Sequence, residues 1–528
     1  MVAPCVTIRG SGGIVTDSGH RQNRLLPLLL VLAATALPLV LLWLTPVPLG
    51  VPGEWVWPRL PLADQLLPGL LLAVPAGTFY VLLVLRGYRV FPQLSSRMRG
   101  LWLLGLMLAG LLWTAVVIQS TPGLAGPPRL PLVLYYPRTE GYFWQARHDV
   151  DSLGEFVRTY PDRIRDSSVP ENYLHLGTHP PGLTLSYCVL WNLFDSSPML
   201  CRTVLSVQPV EVHEWMEQIR QNSALHGQIF DQRDEACLWA AICLTLLLCV
   251  GTVGPLYLLA RQTTSPQLAW LGAAMWPLVP AVLVFLPKSD LLYPSIAVSA
   301  QCCWLISLHK QRYWFSAIAG LLLYVGTWLT LAFVPVGAML FVQAVAAIFD
   351  RTHRSSAIRT LLAGAAGFCG PLLLTLFSGV PIVSIWWLNY HNHAAFYEHS
   401  TRTFAMWLWV NPLEFLGALG APMVAWGALE RWKQDRCGTL FREWTTRTPV
   451  LVVWMLLWLT GKNMGEAARL WCLLFPLAIW LLLPAVSDSD DEPQPTSRVL
   501  IAALVGQLLI CFGTAIRIDG FDFGAFAK

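Results

Sequence analysis

Long apolar runs separated by short polar segments recur along nearly the whole chain. A membrane-spanning helix needs about 20 mostly apolar residues. Runs that approach or reach this length lie near residues 25–44, 66–85, 100–119, 237–260, 267–286, 291–308, 314–331, 333–349, 360–378, 405–429, 449–461, 469–486 and 498–516. The pattern therefore predicts an all-α polytopic membrane protein with about thirteen transmembrane helices.

Three of these predictions depend on the length of a run. The first run is too long for the core of a signal peptide, so we expect it to remain as a span. Residues 180–194 are apolar but too short to cross a membrane, which predicts a re-entrant or interfacial helix within a long loop. Residues 314–349 are long enough for two helices only if a very short turn lies near 330–335.

Composition supports a membrane protein. The 528 residues are 55% hydrophobic and 12% charged, whereas soluble domains carry roughly 25% charged residues. The net charge of +4 is too small to indicate a nucleic acid partner. The twelve cysteines lack metal-binding spacing and mostly lie in apolar runs, so we expect them to pack as small core residues.

Loop charges predict the orientation of the bundle, because Lys and Arg are enriched in cytoplasmic loops. With a cytoplasmic N-terminus, basic residues collect in alternate segments, and the long segment 120–236 is outer, with 9 Arg against 14 Asp and Glu. The acidic run 488–492 departs from the pattern but weighs little in this rule. We expect a protein of the cell (inner) membrane, with 1–99 holding two extra spans, 100–486 the core, and 487–528 a linker and the last span.

Ionisable residues near spans are costly and indicate function by default. The long outer loop opens with Glu140, Arg147, Asp149 and Asp151. Asp151 precedes an amphipathic segment that starts at Leu153, so it could equally act only in the electrostatics of the helix start. His179 precedes Pro180 and the short apolar helix; we expect Thr178 to cap that helix and His179 to lie at its positive end. The alternative is that this segment serves only as a proline-stiffened start of a helix on the membrane surface.

Three further outer segments carry charge. The connection 286–290 places Lys288 between two apolar helices, followed by Asp290. Residues 386–402 form an aromatic and His-rich segment. Most of its residues are typical of an interfacial aromatic belt. His391 and His393, with Glu398 nearby, could bind a metal, but the segment lacks a third ligand at a typical spacing. The spacing of Lys462, Glu466 and Arg469 predicts one shared helix face at the mouth of two spans, and an exposed ion pair is the alternative.

The order of these features resembles the GT-C glycosyltransferases, in particular the branch with protein O-mannosyltransferase and the aminoarabinose transferase of lipid A. The resemblance rests on an acidic residue in the first large outer loop, the segment His179-Pro180-Pro181-Gly182, paired spans with tiny turns and the late 462–469 cluster. It covers roughly residues 100–485. Glu140 matches the family's acidic position, although Thr139 stands where the family tends to have Asp, so Asp149 and Asp151 also stay candidates.

The resemblance implies transfer of a sugar from a polyprenyl-phosphate donor to a lipid, glycan or protein acceptor on the outer face, with inversion at the anomeric carbon. Glu140 is the first candidate for the general base. A departing phosphate needs fixed positive charge. The basic candidates are Arg147, His179, Lys288, Lys462 and Arg469, and Glu466 completes the late cluster. The sequence leaves open whether a divalent metal takes part.

Two other functions compete with this hypothesis. A lipid or solute transporter or flippase would explain charge near the spans, although no internal repeat links the two halves. A scaffold protein could bind a partner through the amphipathic stretch 211–219. The transferase hypothesis predicts that Glu140, His179 and Arg469 meet in one cavity at the outer face.

Overall fold

The computed structural model describes residues 18–61, 66–166, 177–350, 352–435, 443–485 and 497–523. The acidic run 488–492 lies outside these ranges, as does the side chain of Glu398. The described chain is almost entirely helical. Its sheet is one antiparallel hairpin of β1 (Gly50–Val51) and β2 (Trp55–Val56). The all-α prediction is therefore confirmed.

The helices follow one another with short connections. The first part of the chain forms α1 (Ser18–Leu44), α2 (Leu66–Val90), α3 (Ser96–Ser120), α4 (Arg129–Tyr135), α5 (Tyr142–His148), α6 (Leu153–Asp166), α7 (Gly182–Ser196), α8 (Pro198–Leu205) and α9 (Val210–Leu225). The middle forms α10 (Gln232–Gly251), α11 (Val253–Ala260), α12 (Pro266–Met275), α13 (Pro280–Phe285), α14 (Tyr293–Lys310), α15 (Trp314–Leu329), α16 (Phe333–Phe349) and α17 (Arg354–Phe377). The last part forms α18 (Ile382–His399), α19 (Phe404–Leu419), α20 (Ala421–Asp435), α21 (Arg447–Leu459), α22 (Ala467–Leu470), α23 (Phe475–Leu482) and α24 (Ser497–Ala515).

In the described chain, eight helical segments are long and apolar enough to cross a membrane. They are Leu25–Leu44, Leu66–Gln93, Ser96–Ser120, Gln232–Ala260, Pro266–Phe285, Ser289–Lys310, Arg354–Phe377 and Arg498–Ala515. The predicted run 405–429 is a pair of helices bent by 97°. The other four predicted runs coincide with apolar helices shorter than 18 residues. The chain is thus a polytopic membrane protein, and the count of thirteen spans stays a prediction.

The bend between α19 and α20 occurs at Gly420, whose φ of +106° suits glycine. A helix break inside a membrane frees backbone groups that need partners. Gln507 of α24 supplies them: its Nε2 donates to Leu419 O and Leu278 O, both at 2.9 Å, and its Oε1 accepts the Met423 N–H at 3.3 Å. A Cβ at position 420 would lie 2.1 Å from Gln507 Nε2, so glycine is required there.

The connections agree with the sequence pattern in most places. α15 ends at Leu329 and α16 begins at Phe333, which confirms the predicted tight turn. The predicted short helix is α7. The predicted cap at Thr178 is wrong, because α7 begins at Gly182 with Pro181 as its N-cap, and the Thr178 hydroxyl instead lies 2.9 Å from His179 Nδ1.

The amphipathic segment after Asp151 is α6, which lies in the long loop. Its apolar face is buried through Phe156, Tyr160 and Ile164, against Ile382 and Ile385 of α18. The loop is therefore packed onto the helices beneath it rather than extended away from them.

Candidate functional site

A cavity of about 740 Å³ lies where several connections between helices meet. Its lining comes from Gly53, Glu54, Trp55, Trp57 and Pro58 in and directly after the β1–β2 hairpin, and from Arg138, Thr139, Tyr142, His179, Lys288–Asp290, Tyr293, Phe396, 400–402, Glu466, Arg469, Leu470 and 519–522. Each of these positions lies in a segment that the charge count assigns to the outer side, or at the outer end of the adjoining helix. The segments predicted to share one side of the membrane therefore meet at one place, and which side that is stays a prediction. All three predicted ranges, 1–99, 100–486 and 487–528, contribute to the wall.

Asp290 is a carboxylate of the cavity wall whose side chain has no partner among the described residues. It lies in a short 3-10 turn, Ser289–Leu291, directly after the cavity-lining Lys288. Asp290 forms neither a hydrogen bond nor an ion pair with any residue that the structure describes. Lys288 is 7% exposed, and its ammonium donates to Thr139 O at 2.9 Å. The Asp290 carboxylate and the Lys288 ammonium, two residues apart in the chain, therefore border the same cavity.

Glu140 lies behind the wall rather than on it. The side chain is fully buried, Oε1 accepts the Ser289 N–H at 2.8 Å, and Oε2 has no partner among the described residues. Burial raises the pKa of Glu140, against the opposing effects of the Ser289 hydrogen bond and the Lys288 charge. The carboxyl group thus holds the turn that carries Asp290, and it does not face the cavity.

The late charged cluster does not form one helix face. Glu466 has a φ of +55° and precedes the four-residue helix α22, so the chain is not helical between Lys462 and Glu466. Arg469 Nη2 pairs with Glu466 Oε2 at 2.5 Å, and both residues line the cavity. Lys462 is outside the lining, with its ammonium 4.5 Å from the centre of the Tyr390 ring. The shared-face prediction is therefore wrong for Lys462.

His179 lines the cavity but adds no positive charge at neutral pH. Burial lowers the pKa of His179 to about 4, so the imidazole is neutral at pH 7. The positive charge of this part of the lining comes from Lys288 and Arg469.

Besides Glu140 and Lys462, three predicted residues lie outside the lining. Arg147 pairs with the buried Asp234 at 2.9 Å, and its guanidinium lies 5.2 Å from the centre of the Trp191 ring. Asp149 is exposed at the C-terminal end of α5, and Asp151 is exposed before α6. Arg147 therefore fastens the long loop to α10, and neither aspartate reaches the cavity.

The aromatic and His-rich segment is helix α18 and its C-terminal extension. Trp387 and Tyr390 are at least half exposed, as in an aromatic belt, whereas Phe396 and Arg402 line the cavity. His391 Nδ1 contacts Trp387 O at 2.9 Å. Within the described ranges, no group of three or more His, Cys, Asp or Glu side chains is arranged to hold a metal ion.

Several lining residues had no signal in the sequence strong enough to select them. Glu54, Trp55, Trp57 and Phe521 lie near the two chain ends, in connections without a recognisable motif. The sequence marks Asp290 as a charged residue between two spans but contains no motif that distinguishes it as a base. No family model and no curated protein matches this chain.

Proposed function

We propose that the chain is a membrane glycosyltransferase that moves a sugar from a polyprenyl-phosphate donor to an acceptor hydroxyl of a lipid, glycan or protein. One observation carries the proposal. An unpaired carboxylate, Asp290, borders the same cavity as the cations of Lys288 and Arg469. A carboxylate that loses part of its hydration without gaining a partner is costly, and a bundle that needed Asp290 only for stability would pair it.

The reaction divides between these groups. Asp290 accepts the proton of the acceptor hydroxyl, whose oxygen forms a bond to the anomeric carbon. The bond between that carbon and the phosphate oxygen breaks, and its electron pair leaves with the polyprenyl phosphate. Lys288 and Arg469 neutralise the charge that develops on the phosphate. Attack from the face opposite the phosphate inverts the anomeric centre.

Glu140 has a different role from the one that its position in the sequence suggested. As a positioning residue it holds the Ser289 backbone at 2.8 Å and so orients the neighbouring Asp290. His179 is a neutral hydrogen-bonding group of the wall.

The proposal is tested by incubating the purified full-length protein with radiolabelled polyprenyl-phosphate hexoses and a membrane extract as the source of acceptors. We expect the label to move to an acceptor while unglycosylated polyprenyl phosphate is released in equal amount. Equal rates with the wild type and the Asp290→Asn variant would overturn the proposal.

A transporter or flippase is the second candidate, and the 97° break between α19 and α20 favours it, because broken helices line transporter sites. Proteoliposomes with a fluorescent polyprenyl-phosphate hexose in one leaflet separate the two functions. A flippase moves the intact lipid across the bilayer, whereas the transferase releases the sugar from its carrier.

A further inference from the structure

Two segments near the chain ends join to form one wall of the cavity. Residues 50–60, which follow α1, lie beside residues 516–523, which follow α24. Leu60 N donates to Arg517 O at 2.8 Å, and Asp519 N donates to Pro58 O at 2.9 Å. We call residues 50–60 together with 516–523 the terminal strap.

Hydrogen bonds occupy two carboxylates of the terminal strap, Glu54 through the neighbouring helix α19 and Asp519 within the strap itself. Glu54 Oε2 accepts the Thr403 N–H at 2.8 Å and the Trp407 Nε1–H at 2.7 Å, while Oε1 accepts the Thr403 hydroxyl at 2.5 Å. Asp519 accepts the backbone N–H groups of Phe521 and Phe523 at 3.0 and 2.8 Å. These two carboxylates therefore fasten the strap and are not available to a ligand.

Aromatic rings make up much of what the strap contributes to the cavity. Trp55, Trp57 and Phe521 all line it. The centroids of Trp55 and Trp57 are 5.4 Å apart, and Phe285 joins Trp57 to Phe521 with centroid distances of 5.2 and 6.5 Å. Trp57 Nε1 donates to Glu414 Oε1 at 2.6 Å, which holds this ring in place. The result is a preorganised aromatic surface in a cavity whose cations come from other segments.

We infer that the terminal strap selects the sugar. The inference rests on the proposed function and deepens it: Trp55, Trp57 and Phe521 bind the apolar face of a hexose ring while Lys288 and Arg469 hold the phosphate. A pyranose ring has C–H groups on one face, and aromatic side chains bind such faces while a few polar groups set the orientation. Trp55 is the specificity-determining residue, because it is the less buried of the two tryptophans.

The test measures binding by the purified full-length protein of farnesyl phosphate and of farnesyl phosphates that carry glucose, mannose or galactose. We expect the wild type to bind at least one hexose probe about 2- to 10-fold more tightly than farnesyl phosphate, the range for an aromatic contact. Trp55→Ala should remove this preference and change the affinity for farnesyl phosphate by less than about twofold. Trp55→Phe should restore most of it.

Two further variants separate recognition from folding. Trp409→Ala removes a ring that is 73% exposed on α19 and outside the lining, and it should leave the preference unchanged. Phe521→Leu keeps an apolar side chain and should weaken the preference about 2-fold. A wild type without any hexose preference, or a preference that survives Trp55→Ala, would overturn the role of the strap alone. A wild type that binds none of the probes would overturn the proposed function as well.

Discussion

The two ends of the helix bundle each hold a carboxylate near two cations, but the carboxylate of Glu443 is buried whereas that of Asp290 is partly exposed. At the predicted inner end, Glu443 pairs through Oε1 with Arg447 at 2.7 Å and through Oε2 with Arg431 at 2.6 Å. Arg447 donates further to Leu483 O and the Thr263 hydroxyl at 2.7 and 2.8 Å. At the predicted outer end, Asp290 has no such partner among the described residues, although Lys288 and Arg469 border the same cavity.

The difference separates charges that hold the bundle together from charges available for chemistry. A carboxylate with both oxygens bonded to arginines has little capacity left for a ligand. An unpaired carboxylate beside a cavity keeps its acceptor positions open, at a cost in stability that a purely structural site would avoid. We therefore expect substitutions at the outer end to lower activity and substitutions at the inner end to lower stability.

The largest effect is expected at Asp290. In Asp290→Asn the amide cannot accept the proton of the acceptor hydroxyl, so the transfer rate should fall by about 10²- to 10⁴-fold. The melting temperature in detergent should not fall. Asp149→Asn and Asp151→Asn are matched controls in another predicted outer segment and should stay within about twofold of the wild-type rate. A rate for Asp290→Asn equal to those controls would contradict the comparison.

The opposite pattern is expected at Glu443. Glu443→Gln leaves two arginines without their carboxylate, and removing one partner of a buried ion pair costs about 3–5 kcal/mol in the free energy of unfolding. Denaturant unfolding in mixed micelles measures this loss. The fraction that stays folded should keep its transfer rate. A stable but inactive Glu443→Gln protein would place the inner cluster in the reaction instead.

A smaller effect is expected at Arg469. Arg469→Gln removes a cation that neutralises the donor phosphate, so the donor KM should rise about 10-fold, as for the loss of one charged hydrogen bond. Lys462→Gln is the control, because Lys462 lies outside the lining and stacks on Tyr390. An unchanged donor KM in Arg469→Gln would mean that the pair with Glu466 is structural.

Local sequence patterns predict the helices and several turns, but not every side-chain position. Apolar run lengths predicted the helices and the turn after Leu329, because the period and length of such runs depend on local chemistry. The predicted outer segments are the ones that border the cavity. Sequence spacing failed at Lys462, because it assumes a helix that the backbone of Glu466 interrupts.

The terminal strap could not be predicted from the sequence, because contacts between residues far apart in the chain hold it in place. Glu54 caps α19 at Thr403, which is 349 residues further along the chain, and no local pattern contains such a contact. The positions of Glu140 and Asp290 relative to the cavity could not be predicted for the same reason. The sequence locates both carboxylates at the outer side, but only the packing of the turn at Ser289 decides which one borders the cavity.

The smallest effect is a dependence of donor binding on pH. Burial and the nearby charge of Arg469 lower the pKa of Lys288 below the usual lysine value. The ammonium is charged below its pKa, so the affinity for a polyprenyl-phosphate hexose should weaken by about 5-fold as pH rises through that lowered value, the cost of losing one screened cation. Because an arginine stays protonated, Lys288→Arg should bind the donor equally across this range. His179 titrates near pH 4 and should add no step between pH 6 and 7. A wild-type affinity that is flat up to the usual range of lysine would show that Lys288 does not contact the phosphate, and Arg469 would then act on it alone.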